Sequence, residues 1–290
     1  MRSDAGPGNL AGGDEDRGRQ LPQVAAVPGA LTTVDAFLGG EIEIEQPAKG
    51  YRAGLDAVLL AAAARPVRPV CAPLRVVDVG AGVGTAGLCL AARLGEADVT
   101  LVERDALASR LASRNIEHNR LGARARVATI DVMRPAPDAG KQGLPDASFD
   151  LAISNPPYLA EGRHRPSADD LKAAAHAMPE DGLDRWLRFM ARMTRRGGTA
   201  VIIHRADCLA ALLAALDRRF GDVMVLPLHP RAGEPASRVI VRAVKASRAP
   251  LRIAQGLVLH DKEGSFRPDI KAVLSAPRAL EWPRAGLPPG

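Results

Sequence analysis

The fold is decided by residues 75–85, Arg-Val-Val-Asp-Val-Gly-Ala-Gly-Val-Gly-Thr, which lead from a short apolar segment through a glycine-rich turn. The apolar part predicts a strand over 75–79, and the residues after the turn predict a helix over 85–94. Glycines in such a turn let the backbone reverse sharply and let a ligand approach the main chain at the helix N-terminus. A strand, glycine turn and helix in this order are typical of nucleotide-binding sheets.

Strands and helices alternate along the chain after this stretch. Further apolar strands are predicted over 98–103, 125–130, 149–154, 199–204 and 223–228. Helices are predicted over 106–121, 183–194 and 206–220, the second of them stopping at Gly197-Gly198. Short continuous apolar strands with helices between them predict a parallel sheet that is covered on both faces. The segments 237–245 and 251–259 have no helix between them, which predicts an antiparallel C-terminal edge.

Composition indicates one large domain with appendages. Residues 1–30 are rich in Gly, Asp, Glu and Arg and predict a disordered tail. The main domain is expected over 31–275, with an appendage over 31–73 that contains a short strand pair and a helix over 55–65. The Pro-rich segment 276–290 is expected to form a flexible C-terminal tail.

Several classes of protein are excluded or disfavoured. No uncharged apolar run reaches the length of about 18 residues that spans a membrane, and the N-terminus lacks a secretory apolar region. The cysteines Cys71, Cys89 and Cys208 lie far apart without metal-ligand spacing, which favours reduced thiols and a cytoplasmic protein without a metal. We expect a monomer or a weak dimer.

The net charge of +6 favours a polyanionic partner such as nucleic acid. An arginine-rich genome produces the same excess, so the charge alone is a weak indication. Candidate phosphate contacts are Arg195, Arg196, Arg231 and Arg238, and ordinary solvated charges are the alternative interpretation of each.

Acidic residues lie at or near the carboxyl ends of the first three strands, at positions where a ligand can meet them. Asp78 would repel the pyrophosphate of a dinucleotide and attract an ammonium group. Glu103 lies about 20 residues after the glycines, where an acidic side chain accepts hydrogen bonds from ribose hydroxyls. Asp131 ends the third strand in the same manner and is a candidate for the amino group of an adenine.

The tetrapeptide Asn155-Pro156-Pro157-Tyr158 comes directly after the strand over 149–154. Two prolines fix the backbone, so the carbonyl groups of this loop point in a defined direction. The Asn155 side-chain oxygen and a neighbouring main-chain carbonyl can accept both hydrogens of one NH2 group. Tyr158 offers a flat face for stacking. The tetrapeptide therefore predicts a site for a planar amine.

Residues 74–204 resemble the class I S-adenosylmethionine methyltransferases, and Asn155–Tyr158 is similar to the signature of the amino-methyltransferases. That signature is shared by enzymes acting on adenine N6, cytosine N4, guanine N2 and glutamine N5. The stretch 46–60, with Lys-Gly-Tyr-Arg at 49–52, resembles the bacterial tRNA adenine-N6-methyltransferases that modify the adenosine beside the anticodon of a valine tRNA. Residues 254–259, with Gly264 and Phe266, are also similar to that group. The resemblance covers 31–275, and the long N-terminal tail and the segment 135–145 depart from it.

The resemblance implies S-adenosyl-L-methionine as cofactor, tRNA as partner, and a Rossmann-like seven-stranded sheet that is mostly parallel with an antiparallel C-terminal edge. It implies that Asp78, Gly80 and Gly82 line the methionine part of the cofactor. Glu103 would hold the ribose, and Asp131 the adenine. The full implied cofactor set is Lys49, Arg52, Asp56, Asp78, Gly80, Gly82, Gly84, Thr85, Glu103, Asp131 and Asn155, with the first three over the pocket. The implied catalytic set is Asn155, Pro156, Pro157 and Tyr158.

Other substrates remain open at this point. A glutamine amide of a translation factor would fit the same loop, as would other base amino groups in rRNA or DNA. A noncatalytic protein that keeps the pocket for stability is a further alternative. The glutamine enzymes share a helical N-terminal domain, whereas this chain has only a short strand-like appendage there, which counts against a glutamine substrate.

Overall fold

The computed structural model of the protein describes residues 31–49, 52–70, 73–134, 139–157, 179 and 181–282. The predicted N-terminal tail, Cys71 and Tyr158 lie outside these residues.

The appendage is a β-hairpin followed by a buried helix. Strands β1 (Thr32–Phe37) and β2 (Ile42–Pro47) pair antiparallel. Helix α1 (Leu55–Ala63) buries seven of its nine residues. It ends two residues earlier than predicted, because Arg65 precedes Pro66 and the residue before a proline is biased away from helical geometry.

One large sheet forms the centre of the molecule. Its strands are β3 (Leu74–Val79), β4 (Ala97–Glu103), β5 (Ala125–Thr129), β6 (Phe149–Ser154), β7 (Thr194–Arg205), β8 (Phe220–His229) and β9 (Arg238–Lys245), with the two-residue strands β10 (Arg252–Ile253) and β11 (Leu257–Val258). The order is β5-β4-β3-β6-β7-β9-β8-β10, and β11 also pairs with β8. Every pairing in this sheet is parallel except those of β9. The predicted fold class is confirmed.

The antiparallel strand lies one position further inside the sheet than predicted. β9 pairs with β7 on one side and with β8 on the other. The segment expected to continue the antiparallel edge forms β10 and β11 instead, and both run parallel to β8. A strand that pairs on both sides cannot be the edge, so β8 and its two short partners close the sheet.

Helices cover both faces of the sheet. The remaining helices are α2 (Thr85–Arg93), α3 (Ala106–His118), α4 (Gly182–Met193), α5 (Leu209–Leu216) and α6 (Pro268–Leu274). Val76 of β3 belongs to the core beneath α1, α2, α3 and α6, whereas the next residue, Val77, belongs to the core beneath α4 and α5. Because both faces are covered, the central strands are mostly apolar. Among the described residues, no helix combines the length and apolar character needed to cross a bilayer.

The glycine pair at 197–198 does not end a helix. α4 ends at Met193 and β7 begins at once at Thr194, so the predicted helix stop is wrong. Phe149 of β6 pairs with Thr194, but Leu151 pairs with Thr199, which leaves extra residues in β7. Gly197 has a φ of +76° within this irregularity. The glycines therefore serve a bulge, a common role for glycine within strands.

The chain after α6 packs against α1. Leu280 donates its main-chain N–H to the carbonyl of Ala62 at 2.8 Å, and the Trp282 Nε1–H donates to the carbonyl of Ala63 at 2.9 Å. Leu280 and Trp282 are each only 5% exposed. The expectation of a flexible tail from 276 onward is wrong for 276–282, because these residues satisfy the carbonyl groups that the last turn of a helix leaves unpaired.

Two asparagines, Asn115 of α3 and Asn119 directly after that helix, hold the hairpin. The Asn115 side chain accepts from the Glu45 N–H at 2.8 Å and donates to the Glu45 carbonyl at 3.0 Å. Asn119 makes the same two bonds with Glu43, at 2.9 and 2.7 Å. Residues four apart on a helix rise by about 6 Å, close to the rise of about 6.8 Å over two residues of a strand, so the amides match the strand spacing.

Candidate functional site

The candidate site lies at the carboxyl ends of β3 and β6. β3 lies between β4 on one side and β6 on the other, so the strand order reverses direction at β3. Ligands of such sheets bind in the crevice at this switch point. Asp78 pairs with Ile153, so the loops that begin at Gly80 and Asn155 leave neighbouring strands about 4.8 Å apart.

The glycine turn adopts backbone angles that only glycine takes easily. Gly80, Gly82 and Gly84 have φ values of +73°, +57° and +91°. A Cβ on Gly80 would lie 2.4 Å from the Trp186 ring, and one on Gly84 would lie 2.8 Å from Leu101. A Cβ on Gly82 would meet nothing within 4 Å. Packing thus requires glycine at the outer two positions, whereas Gly82 leaves open space for a ligand to approach the backbone.

Glu103 fixes this turn from the end of β4. One carboxylate oxygen accepts from the Gly82 N–H at 2.9 Å, and the other accepts from the N–H groups of Arg104 and Asp105, both at 2.8 Å. A carboxylate offers about four acceptor positions. Three are used within the protein, so about one remains for a ribose hydroxyl, whereas the sequence suggested two.

Asp78 lies under the first turns of α2. Its side chain is 2% exposed and accepts from the Gly87 N–H at 2.9 Å. Burial raises the pKa of Asp78 to about 7, with a smaller contribution from the negative charge of Glu103, while the Gly87 hydrogen bond acts in the opposite direction. The carboxyl thus holds α2 against β3. Its contact with a ligand ammonium group stays a prediction.

A buried hydroxyl beside the turn has no partner. Thr85, the first residue of α2, is 1% exposed, and its Oγ1 has no hydrogen-bond partner in the described structure. Such a group costs about 1–3 kcal/mol unless it is satisfied. The unpaired hydroxyl, the open space at Gly82 and the acidic rim at Glu103 together fit the expected cofactor.

Asp131 lies beside Glu103 at the same edge. The Ile130 N–H donates to the Glu103 carbonyl at 3.0 Å, which brings the ends of β4 and β5 together. Asp131 accepts from the Met133 N–H at 3.0 Å and pairs with Arg134 at 3.3 Å. The Arg134 side chain is 82% exposed, so this pair is weak. The predicted adenine contact of Asp131 remains a prediction.

Ser154 and Trp186 connect the two loops, and sequence reasoning missed both. The Ser154 hydroxyl donates to the Val79 carbonyl at 2.7 Å and accepts from the Trp186 Nε1–H at 2.9 Å. The Trp186 ring lies against Gly80. Ser154 directly precedes Asn155, so one hydrogen-bonded chain joins the glycine turn to the candidate amine site. The available signal was the rarity of tryptophan, since the chain has only two.

The Asn-Pro-Pro segment is only partly accessible. Asn155 and Pro157 are half-buried and Pro156 is buried. Tyr158, the fourth predicted catalytic residue, lies outside the described residues. Within the described ranges, no group of three or more His, Cys, Asp or Glu side chains is arranged to hold a metal ion.

The residues expected over the pocket are divided between two locations. Asp56, near the start of α1, pairs with Arg238 at 3.0 Å, and Arg238 begins β9 at the carboxyl edge of the sheet. Arg52 pairs instead with Asp35 of the hairpin. Lys49 is exposed two residues after β2 of this hairpin.

The four arginines predicted as phosphate contacts lie at two opposite edges of the sheet. Arg231 and Arg238 lie at the carboxyl edge, near the end of β8 and the start of β9. Arg195 and Arg196 belong to the first residues of β7, at the opposite edge from Asn155. Arg195 pairs with Asp150. Neither of these two arginines can contact a ligand in the crevice.

The chain was compared with known families and structures. Residues 64–184 match the family model described as Methyltransferase small domain. The tRNA1(Val) (adenine(37)-N6)-methyltransferase of Enterobacter sp. (strain 638) is 30% identical over 237 residues, which cover 74% of this chain and 90% of that protein. The protein of the same name from Citrobacter koseri is 38% identical over 212 residues, covering 66% and 80%. A crystal structure described as a predicted O-methyltransferase from Agrobacterium tumefaciens has a TM-score of 0.64 and 33% identity, covering 80% of this chain and all of that one.

Proposed function

Because the chain belongs to the family of the tRNA1(Val) (adenine(37)-N6)-methyltransferases, we propose that it methylates N6 of an adenosine in a tRNA, at the position beside the anticodon that its relatives are named for. S-adenosyl-L-methionine is the cofactor. The observation that carries the proposal is the placement of Asn155 and Pro156 beside the glycine turn, on adjacent strands at the switch point of the sheet.

The chain's own residues perform recognition and positioning. The cofactor, when bound, supplies a methyl group on a sulfonium, which is already strongly electrophilic. The Asn155 side-chain oxygen and the Pro156 carbonyl would accept the two hydrogens of the adenine amine and direct the nitrogen lone pair toward the cofactor site. One of these hydrogens would leave to solvent as a proton after the transfer. These acceptors also stabilise the positive charge that develops on the nitrogen during transfer. The Ser154–Trp186 chain holds this loop at a fixed distance from the glycine turn.

An amine suits the proposed acceptor pair better than a hydroxyl does. Two acceptors converge on the reacting group, and an NH2 group has two hydrogens to donate whereas a hydroxyl has one. This disfavours the oxygen substrate in the name of the Agrobacterium tumefaciens structure. A planar glutamine amide would also satisfy both acceptors. The β1–β2 hairpin ahead of the sheet, where the glutamine enzymes resemble one another in a helical domain, disfavours that alternative.

We further propose that the protein works in the cytoplasm as a monomer or a weak dimer. Support for the cytoplasm comes from the tRNA substrate for which its relatives are named.

The test is methyl transfer from labelled cofactor to tRNA purified from a strain that lacks the protein, followed by mass spectrometry of the nucleosides. N6-methyladenosine should appear at one position, and a tRNA with guanosine at that position should not react. Asn155→Ala should slow single-turnover transfer by about 100–1000-fold, because one preorganised acceptor is lost. Cofactor affinity should change little, and Tyr158→Phe, which keeps the stacking face, should retain most activity. Transfer by Asn155→Ala at the normal rate would contradict the proposed role.

A further inference from the structure

A cavity of about 390 Å³ lies at the edge of the sheet opposite the crevice. It is lined by Arg68, Arg196, Gly197, Lys245, Ala246 and Ser247. β7 begins there and runs toward the crevice, and its seven residues from Thr199 to Arg205 span about 20 Å. The cavity is therefore separate from the site at Asn155 and has the size of an ordinary small-ligand pocket.

Three separate parts of the chain bring cations to this cavity. Arg68 lies in the connector before β3, which is fixed to β7 because the Val67 N–H donates to the Thr199 hydroxyl at 2.9 Å. Arg196 lies in the bulged start of β7, and Lys245 ends β9. A Cβ added to Gly197 would lie 3.7 Å from the Arg68 guanidinium, so the bulge and the connector are in close contact.

The cavity has no acidic lining. None of its lining residues is Asp or Glu, and neither Arg68 nor Arg196 has a carboxylate within 4.0 Å among the described residues. This differs from the usual pattern on this protein, where arginines such as Arg195, Arg219 and Arg252 pair with acids. Converging cations without a counter-charge repel one another, which a bound anion would relieve.

The Lys245 ammonium group retains N–H groups that can donate to a ligand. It is half-buried, and its Nζ donates to the Thr194 carbonyl at 2.6 Å, which occupies one of its three N–H groups. Burial lowers the pKa of Lys245, and the charge of Asp146 raises it in part. Arg192 already pairs with Asp146. Asp146 therefore compensates the Lys245 charge only in part, and an anion in the cavity would add to that counter-charge.

We propose that this cavity binds a phosphate group through Arg68, Arg196 and Lys245. Guanidinium groups donate two parallel N–H bonds to phosphate oxygens, and lysine binds the same group as a point charge. The phosphate group has two candidate sources: a backbone phosphate of the bound RNA, and a free nucleotide or pyrophosphate. The phosphate chemistry does not depend on the proposed methyl transfer.

The first experiment uses inorganic pyrophosphate as the probe and calorimetry on the full chain. The wild type should bind pyrophosphate, and Arg68→Ala and Arg196→Ala should each weaken binding at least about fivefold through loss of a charge-assisted bond. Arg196→Lys should recover part of it. Arg218→Ala removes an exposed arginine elsewhere and serves as the control for net charge. Thermal unfolding should confirm that the variants are folded, since Arg68 and Arg196 are exposed.

The second experiment distinguishes the two sources of phosphate. If the group belongs to the RNA, both variants should raise the KM for tRNA with kcat and cofactor affinity unchanged, and each should reduce the salt dependence of tRNA binding by about one counterion. If the group belongs to a free nucleotide, pyrophosphate binding is lost but the KM for tRNA stays the same. Unchanged pyrophosphate affinity together with an unchanged KM in both variants would overturn the proposal. A wild type that binds pyrophosphate but methylates no tRNA would refute the proposed function alone.

Discussion

Replacing Asp78 by asparagine should stabilise the protein at pH 8 and have little effect at pH 4. Burial raises the pKa of this carboxyl from 3.8 to about 7. In the unfolded chain the group ionises near its ordinary value, so folding above pH 4 requires either proton uptake or a buried charge. The resulting penalty is absent below about pH 4, grows as the pH rises, and is complete above about pH 7.

The size of the penalty follows from the shift. Each pKa unit corresponds to about 1.4 kcal/mol, so a shift of about three units gives at most about 4 kcal/mol at pH 8. Asparagine has nearly the same shape, and its amide oxygen can keep the hydrogen bond from Gly87. We therefore expect Asp78→Asn to raise the free energy of unfolding by about 2–4 kcal/mol at pH 8, and by far less at pH 4.

Urea unfolding of both proteins at pH 4, 6 and 8 measures the effect directly. Asp98→Asn removes a half-buried carboxyl from the neighbouring strand β4 and controls for the loss of one negative charge. A stability difference between Asp78→Asn and the wild type that is the same at all three pH values would refute the reasoning.

Calorimetry can also test the predicted ammonium contact. A cation bound near Asp78 lowers its pKa, so cofactor binding near pH 7 should release a proton in the wild type but not in the variant.

Three further substitutions test other parts of the site and fold. Glu103→Gln should weaken cofactor binding at least about tenfold by calorimetry, because one amide oxygen cannot accept from both Gly82 and the residues after β4. Ser154→Ala should lower the free energy of unfolding by about 1–3 kcal/mol, since the Trp186 N–H loses its acceptor. The same change should lower kcat more than it lowers cofactor affinity. An unchanged kcat would show that the Ser154–Trp186 hydrogen bond has no role in catalysis. Trp282→Ala should destabilise the fold by about 3–5 kcal/mol in urea. The Arg242 guanidinium lies over the Trp282 ring, 4.4 Å from its centroid, so Trp282→Phe, which keeps a ring there, should cost less.

The sequence predicted the features that depend on local pattern. β6 was predicted with the bounds that the structure has, 149–154, because a strand that is covered on both faces is mostly apolar, and Asp150 is the one charged residue in this strand. The glycine turn and the Asn-Pro-Pro segment were each predicted to follow a strand, and the carboxyl ends of parallel strands lie at the same edge of a sheet. The acid at Glu103 was found by its spacing from the glycines.

Features that depend on distant partners were missed. Nothing near Trp282 in the sequence indicates that the last turn of α1 has unpaired carbonyl groups to bond with. The Pro-rich composition of the segment therefore predicted a flexible tail. Gly197 has the same local signal whether it ends a helix or forms a bulge, and only the pairing of β7 with β6 distinguishes the two. Arg68, Arg196 and Lys245 come together solely through the sheet topology. The Ser154–Trp186 bond likewise joins a strand to a helix that is distant in the chain.

The two asparagine contacts on β2 have a consequence for behaviour at high concentration. An isolated hairpin exposes N–H and C=O groups along its outer edge, and such an edge can recruit a strand from another molecule. On β2 those groups, at Glu43 and Glu45, are already bonded to Asn119 and Asn115. The side chains thus occupy the positions that an intruding strand would need. Protein that has lost both amides should form intermolecular β-structure and precipitate more readily, even while its enzyme site is intact.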